Sequence, residues 1–225
     1  MDVNVLLSAP MFAGMDDAEA RALVATMKPV ELSRGNVLFH EGEAGDRLYI
    51  IGEGKIKLGR SSTDGRENLL ALLGPGDMFG ELTLFSPGPR TATATSVSES
   101  VVYELSHRAL VEWIRPRPAV AAHLLAALAI RLRRTNESLA DLVFADVPGR
   151  VAKSLLDLAQ RFGERTEDGI RVAHDLTQEE LAQLVGASRE TVNKALADFA
   201  ARGWIRREGR AVVLIDFERL ERRAR

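Results

Sequence analysis

Glu81 and Arg90 stand on either side of a turn-rich segment, residues 86–89, and their side chains offer complementary chemistry. A carboxylate accepts hydrogen bonds from a ribose hydroxyl, whereas a guanidinium, aided by the adjacent Thr91 hydroxyl and exposed amides, can hold a phosphate. This pattern indicates a site for a small phosphorylated ligand, although an Arg and a Glu at this spacing also form surface ion pairs. The candidate ligand-binding residues of the segment are Gly80, Glu81, Leu82, Arg90 and Thr91.

A second group of chemically informative residues follows Thr177, where the sequence has the pattern of two short helices joined by a tight turn. Thr177 and Glu180 form the signature of a capping box, and Gly186 permits a sharp turn. Ser188 is placed to cap a second helix that runs to Gly203. This arrangement predicts a helix-turn-helix. The alternative is an ordinary helical hairpin whose charges face water.

The start of the second helix carries side chains suited to reading DNA bases. Arginine can donate two hydrogen bonds to guanine, and glutamate can accept one from cytosine, whereas serine and threonine hydroxyls can hold phosphates. Residues 204–213 predict a basic hairpin, turning at Glu208-Gly209, that would contact the DNA backbone. The candidate DNA-binding residues are Thr177, Gln178, Ser188, Arg189, Glu190, Thr191, Asn193, Lys194 and Arg207.

Short apolar runs separated by glycines, between residues 35 and 88, predict an antiparallel β-barrel or jelly roll that would position the first site. Asp64-Gly65 is a strong hairpin signal, and a short helix is expected over residues 16–27. The expected strands include Val37 to Phe39, Leu48 to Ile51, Lys55 to Leu58 and Leu69 to Leu73. Further along the chain we expect a helix over residues 151–161 and a strand over residues 170–172.

Residues 119–146 predict one long helix, which we expect Pro148-Gly149 to terminate. Its apolar positions alternate spacings of three and four, as in the seam of a parallel coiled-coil dimer; the alternative is packing against its own barrel. Thr135 is the polar member of the seam, and with the adjacent Asn136 it sets the register or faces a ligand. The candidate dimer-interface residues are Leu125, Leu128, Leu132, Thr135, Leu139 and Leu142.

Composition excludes several classes of function. The 225 residues include 30 basic and 32 acidic side chains, a net charge of −2, so DNA contact must come from local placement of charge. The absence of cysteine rules out disulfides, thiol nucleophiles and cysteine-ligated metal centres. The four histidines are too scattered to suggest a metal motif, and an enzyme has little support. Without a long apolar run or a secretory signal, we expect a cytoplasmic protein with no membrane contact.

Two motifs resemble those of a known family. The segment from Phe79-Gly80-Glu81-Leu82 through Arg90-Thr91-Ala92 is similar to the phosphate-binding cassette of cyclic-nucleotide-binding domains. Residues 185–192, Val-Gly-Ala-Ser-Arg-Glu-Thr-Val, resemble the recognition motif of cAMP receptor proteins. Together they resemble the CRP/FNR superfamily of bacterial regulators, most closely its actinobacterial CRP or GlxR type, over nearly the whole chain.

The resemblance implies an α+β fold with three parts. These are an N-terminal β jelly-roll cyclic-nucleotide-binding domain over residues 1–118, a dimerisation helix over 119–146 and a C-terminal winged helix-turn-helix over 147–225. The implied function is that of a homodimeric transcription regulator, an activator or repressor whose affinity for palindromic operator DNA with TGTGA-like half-sites is modulated allosterically by cAMP. The implied partners are double-stranded DNA and RNA polymerase, with no metal.

The same resemblance assigns roles to individual residues. Glu81 would bind the ribose 2′-hydroxyl, and Arg90 and Thr91 the cyclic phosphate. Thr135, and Asn136 from the other subunit, would meet the adenine. Arg189, Glu190 and Lys194 would read bases. A regulator competent without ligand, a haem sensor, and binding of cGMP or cyclic di-GMP are the alternatives within the family.

Overall fold

The computed structural model describes residues 17–62, 67–86 and 88–225, together with Val5, Ala9 and Phe12. The chain divides into two compact units. The first contains the described residues up to Arg60 and Leu70–Arg134, and the second contains the described residues of 61–69 and Thr135–Arg225. The expected Asp64-Gly65 turn lies outside the described residues. None of the described helices is long and apolar enough to cross a membrane.

Two four-stranded sheets form the body of the first unit, with strand orders β1-β8-β3-β6 and β2-β7-β4-β5. The strands are β1 Lys28–Leu32, β2 Val37–Phe39, β3 Arg47–Glu53, β4 Ile56–Ser61, β5 Glu67–Leu73, β6 Met78–Phe79, β7 Thr93–Ser96 and β8 Ser100–Ser106. Ile51 and Val102 of the first sheet pack in one core with Ile56 and Ala94 of the second, all fully buried. The expected β-rich domain, with its four named strands, is confirmed.

Four helices of the described chain accompany these sheets: α1 Asp17–Val24, α2 Leu82–Phe85, α3 His107–Ile114 and α4 Pro118–Phe144. α4 is the long helix of the sequence prediction. Its first turns bury Val120 and Leu124 in a second core that includes Leu48, Leu105 and Leu110. The beginning of the helix therefore packs on its own β-sheet, in agreement with the alternative interpretation, whereas Leu125 and Leu132 farther along are exposed.

The second unit contains four further helices among the described residues: α5 Val147–Phe162, α6 Gln178–Val185, α7 Arg189–Ala201 and α8 Phe217–Ala224. Its antiparallel sheet has the order β11-β12-β10-β9. The strands are β9 Gly163–Thr166, β10 Gly169–Ala173, β11 Ile205–Glu208 and β12 Ala211–Leu214. β9 and α8 were not predicted from the sequence, and α7 ends at Ala201 rather than at the predicted Gly203.

The expected end of the long helix at Pro148-Gly149 is wrong. α4 ends at Phe144, and Pro148 and Gly149 belong to the first turn of α5. Proline is tolerated in a first turn because its missing N–H has no partner to lose there. Asp146 caps α5 instead, accepting a hydrogen bond from the Gly149 amide at 2.9 Å.

Candidate ligand pocket and nucleic-acid interface

Glu81 is a buried carboxylate with one oxygen engaged and one available. It lies just before α2, and its side chain is 1% exposed. Arg131 on α4 donates from Nη1 to Glu81 Oε1 at 2.8 Å. Glu81 Oε2 is buried without a hydrogen-bond partner among the described residues. A buried acceptor of this kind is costly unless a ligand supplies a donor.

Arg90 is a buried cation held by carbonyl groups rather than by an acid. Its Nη1 donates to the carbonyl oxygens of Gly80 at 2.8 Å and Arg47 at 2.9 Å, and to Thr83 Oγ1 at 3.3 Å. Within the described part of the chain, no carboxylate pairs with Arg90, and its Nε is buried without a partner. Because a buried charge needs compensation, the guanidinium is suited to receiving an anion.

Aromatic rings support the same guanidinium. Its central carbon lies 4.3 Å from the Phe39 ring centroid and 5.7 Å from that of Tyr49. Tyr49 in turn stacks on Phe79 at a centroid distance of 5.4 Å. Burial raises the pKa of Tyr49, although the positive charge of Arg90 opposes that shift. The neutral ring faces therefore stabilise Arg90 without neutralising it.

Two glycines allow the backbone to approach the guanidinium. Gly80 has a φ of +76°, and a Cβ there would lie 2.8 Å from Arg90 Nη1. A Cβ at Gly45 would collide with Arg90 Nε. The backbone of Arg90 is fixed as well, since its amide donates to the Glu43 carbonyl at 2.7 Å. The position of this cation is thus set by both its main chain and its surroundings.

The structure gathers some of the expected ligand-binding residues and not others. Gly80, Glu81 and Arg90 converge in the first unit, with Leu82 and Thr91 exposed beside them. Thr135 and Asn136 are exposed residues of α4 and belong to the second unit. Arg131, Phe39 and Arg47 were not predicted, and no spacing in the sequence connects them to Glu81 or Arg90. Thr83 was not predicted either, although it lies in the same segment, seven residues before Arg90.

The expected dimer seam is largely open to water in the single chain. Leu125, Leu132 and Leu139 are all more than half exposed. Leu128 is half-buried. Leu142 is half exposed and packs close to Gly186. A Cβ built on Gly186 would lie only 2.8 Å from Leu142 Cδ2. A stripe of exposed leucines on one helix is typical of a surface that another chain covers.

The helix-turn-helix forms as its capping residues predict. Thr177 Oγ1 accepts from the Glu180 amide at 3.2 Å, and Glu180 Oε2 accepts from the Thr177 amide at 2.7 Å. Gly186 ends α6 in the left-handed conformation, with a φ of +70°. Ser188 caps α7 by accepting from the Thr191 amide at 3.2 Å. The hydroxyl groups of Ser188 and Thr191 also share a hydrogen bond, with 2.8 Å between their oxygens.

Three charged side chains of α7 are exposed at its start: Arg189, Glu190 and Lys194. The structure gives none of them an ion pair with another described residue. Asn193 is placed differently, because its Nδ2 donates to Gln178 Oε1 at 3.1 Å and its Oδ1 is buried. Asn193 and Gln178 therefore hold α7 against the start of α6.

Two neighbouring arginines of β11, Arg206 and Arg207, differ in their ionic partners. Arg206 is paired with Asp168 at 2.8 Å and with Glu208 at 3.2 Å. Hydrogen bonds from Arg171 and then Arg206 lower the pKa of Glu208. Arg207 is exposed and has no such pair among the described residues. One of the two cations is thus neutralised within the protein, and the other is available to a phosphate.

Among the described residues, no group of three or more His, Cys, Asp or Glu side chains could hold a metal ion. Comparisons with known proteins show similarity to transcription regulators. A family model of the cyclic nucleotide-binding domain matches residues 29–116, and one of the Crp-like helix-turn-helix domain matches residues 149–223. The chain is 59% identical over 222 residues, 99% of each chain, to the CRP-like cAMP-activated global transcriptional regulator of Mycobacterium tuberculosis.

The chain belongs to the CRP/FNR family. Among solved structures, a CRP-family transcriptional regulator from Thermus thermophilus is 32% identical, with a TM-score of 0.74, 87% of this chain and 96% of that one being covered. The c-di-GMP responsive global regulator CLP from Xanthomonas campestris is 25% identical, with a TM-score of 0.75 and coverage of 88% and 99%. These CRP/FNR relatives are transcription regulators rather than enzymes, in agreement with the sequence analysis.

Proposed function

We propose that this CRP/FNR regulator is a homodimer that binds cAMP at Glu81 and Arg90 and operator DNA through α7. The observation that carries the proposal is that two buried polar groups lack partners among the described residues. Glu81 Oε2 has no hydrogen-bond donor, and Arg90 has no anionic partner. A cyclic nucleotide offers a ribose hydroxyl and a phosphate on one rigid ring system. The name of the M. tuberculosis relative supports cAMP as the nucleotide.

In this proposal each pocket residue has a defined part. Glu81 Oε2 accepts a hydrogen bond from the ribose 2′-hydroxyl, while Arg131 donates to Oε1 and fixes the orientation of the carboxylate. Arg90 binds the cyclic phosphate, assisted by the Thr91 hydroxyl. Thr135, and Asn136 of a second copy, contact the adenine. The cationic partner of the phosphate is Arg90, so the proposal requires no metal ion.

The exposed leucines of α4 support the homodimer. Burial of their apolar surface against an identical helix would stabilise the pair by about 25 cal/mol per Å² removed from water. A dimer would also hold two copies of α7 one DNA turn apart, so that each copy enters the major groove at one half-site of a palindrome with TGTGA-like half-sites. RNA polymerase is the proposed third partner, for activation or repression.

On the DNA, Arg189, Glu190 and Lys194 would read base edges, since they are exposed at the start of α7. Ser188, Thr191 and Arg207 would contact phosphates. cAMP would favour the dimer state whose two recognition helices match the spacing of the half-sites. A preference of about 1 to 3 kcal/mol for that state would change operator affinity by about 5- to 150-fold.

The test combines calorimetry with operator titration at one fixed salt concentration. We expect cAMP to bind the wild-type protein more tightly than cGMP or cyclic di-GMP, and Glu81→Gln to weaken that binding. We also expect cAMP to tighten binding to a palindromic TGTGA operator but not to random DNA. Equal operator affinity with and without cAMP would refute the switch, and tighter binding of cyclic di-GMP would reassign the ligand.

A further inference from the structure

His174 is a buried histidine between the sheet of the second unit and the helix-turn-helix. It directly follows β10 and is 5% exposed. Its Nδ1 accepts a hydrogen bond from the Leu176 amide at 3.1 Å. A neutral imidazole accepts at Nδ1 only when its proton is on Nε2. The hydrogen bond therefore requires neutral His174 in that tautomer.

The same hydrogen bond closes a turn with an uncommon backbone conformation. Asp175, between the two bonded residues, has a φ of +61°, a positive value that no other residue besides glycine shows in the described part of the chain. Its surroundings must hold a side-chain-bearing residue in that conformation. The Asp175 amide donates at 3.1 Å to the carbonyl of Arg210, in the turn of the β11–β12 hairpin. The turn over residues 174–176 is thus fixed by the hairpin at one point and by the imidazole at the next.

The 174–176 turn connects two candidate DNA-binding residues. Thr177, which caps α6, follows Leu176 directly, and Gln178 is the first residue of the helix. His174, Gln178 and Arg207 line one cavity of the second unit. Because the cap continues directly from the turn, the bond to His174 sets where α6 begins relative to the strand that carries Arg207.

The charged groups beside His174 oppose a positive charge on its ring. The cavity lining from α5, α6, α7 and β12 is uncharged, whereas β11 contributes the cation Arg207. The hairpin turn adds a second cation, Arg210, and the acid in contact with this turn is Asp175, the next residue in the chain. Protonated His174 would be a buried charge beside two cations and one carboxylate, and burial of a charge is costly without full compensation.

We propose that neutral His174 is a positioning residue for DNA binding, and that its protonation releases the 174–176 turn and weakens operator binding. The inference rests on the proposed function, because it assumes that the β11–β12 hairpin and the helix-turn-helix contact DNA together. Protonated histidine carries a proton on both ring nitrogens, so Nδ1 and the Leu176 amide become two opposed donors.

Loss of that hydrogen bond lets Asp175 leave its positive φ and lets the start of α6 move relative to the hairpin. The recognition helix moves with it, since Asn193 of α7 is hydrogen-bonded to Gln178. The state that binds DNA requires neutral His174, so acid favours the released state. DNA affinity should therefore fall as the pH falls through the range in which histidine titrates.

The experiment compares three variants of the full-length protein with wild type at about pH 7.5 and about pH 5.5, where histidines titrate and ordinary carboxylates stay ionised. His174→Asn offers the Leu176 amide an acceptor that does not titrate, and His174→Leu offers none. His107→Asn is the matched control, because His107 is exposed and belongs, like the other two histidines, to the first unit. Operator affinity is measured with saturating cAMP at one salt concentration. Protection of the Leu176 amide from hydrogen exchange reports on the turn without DNA.

We expect the operator affinity of wild type and of His107→Asn to fall by about 5-fold or more between the two pH values, because a buried donor loses its acceptor. His174→Asn should bind like wild type at the higher pH and lose less than about twofold in acid. His174→Leu should bind weakly at both pH values. Protection of the Leu176 amide should decrease in acid in wild type and not in His174→Asn.

An equal acid-induced loss of affinity in wild type and His174→Asn would overturn the proposal, as would wild-type affinity in His174→Leu at the higher pH. If the leucine variant does not fold, the asparagine variant still decides. Failure of the proposed function has a different signature, namely a wild-type protein that does not prefer the palindromic operator at either pH. In that case, equal protection of the Leu176 amide in acid in wild type and His174→Asn would refute the role of His174 in the turn.

Discussion

The proposed ligand pocket and the proposed DNA-facing surface use arginine in opposite ways. Arg90 is 5% exposed and fixed by carbonyls, a hydroxyl and an aromatic ring. Arg189 and Arg207 are exposed, and no ion pair with another described residue holds them. In the proposed function, the pocket is therefore organised before its ligand arrives, whereas the DNA-facing surface acquires its geometry on contact.

This difference determines how each region achieves specificity. In the pocket, the cost of burying a charge is met during folding, so little reorganisation remains for binding. On the surface, side-chain entropy is lost only when DNA binds, and specificity depends on where α7 is held. The two regions should also differ in how their binding affinities respond to salt, because screening weakens the interactions of exposed charges far more than those of buried charges. Nucleotide affinity should accordingly vary little with salt, and DNA affinity strongly.

The largest expected effect comes from removing the buried cation. Arg90→Leu retains an apolar stem against Phe39 but deletes the guanidinium, and we expect cAMP affinity to fall by about 100-fold or more. Calorimetry measures the loss. Arg60→Leu is the matched control, since Arg60 forms an exposed pair with Glu41 in the same unit. A dissociation constant within about threefold of wild type in Arg90→Leu would show that Arg90 does not bind the phosphate.

On the DNA surface, Arg189→Ala should weaken operator binding by about 1 to 3 kcal/mol, because a two-pronged contact to guanine is lost. Binding to random DNA should change much less. The comparison uses the cAMP-bound protein on the operator and on operators with single-base changes. If Arg189→Ala weakened all these sequences equally, Arg189 would be a phosphate contact, and the base-reading role would pass to its neighbours.

The adjacent arginines of β11 provide a smaller and more selective test. Arg207→Ala should weaken binding to operator and random DNA alike and reduce the slope of log affinity against log salt by about 1. Arg206→Ala, the control, removes a cation already paired with Asp168 and Glu208. Titration of each variant at several salt concentrations gives the slopes. Equal changes in the two slopes would mean that the pairing of Arg206 does not persist on DNA.

The same two regions show how far sequence reasoning extends. The helix-turn-helix was predictable because its determinants are local: Thr177 and Ser188 accept from amides three residues along, and Gly186 adopts the left-handed turn. In the pocket, residue types and spacing predict Glu81 and Arg90 as ligand-binding residues. The groups that hold them were not predicted, because Phe39 and Arg131 reach the site only through strand pairing and the packing of α4.

Two other differences from the sequence predictions concern local signals. Pro148 is predicted to end a helix, but it lies in a first turn, where proline is tolerated. α8 is not among the predicted helices, although Asp216 caps it and Phe217, Leu220 and Ala224 have helical spacing. Its apolar face buries Leu220 completely. Both segments therefore carry local information that the predictions did not use.

The smallest expected effect concerns Asp146, where α5 and α8 meet. Its Oδ2 accepts from Arg223 at 2.6 Å and its Oδ1 from the Gly149 amide at 2.9 Å, and these two bonds, in that order, lower its pKa from 3.8. Asp146→Ala removes both and should reduce the free energy of unfolding at pH 7 by about 1 kcal/mol. Asp146→Asn keeps a capping oxygen and loses only the exposed ion pair, which contributes about 0.5 kcal/mol.

The sign of the pH dependence follows from the lowered pKa. The folded protein binds the Asp146 proton more weakly than the unfolded chain, so the contribution of the carboxylate is complete above pH 3.8 and is lost as the pH falls through the folded-state pKa. Urea unfolding at equal protein concentration should therefore show wild type and Asp146→Asn converging in acid. A difference that persists undiminished below that pKa would mean that Asp146 acts through packing and not through its charge.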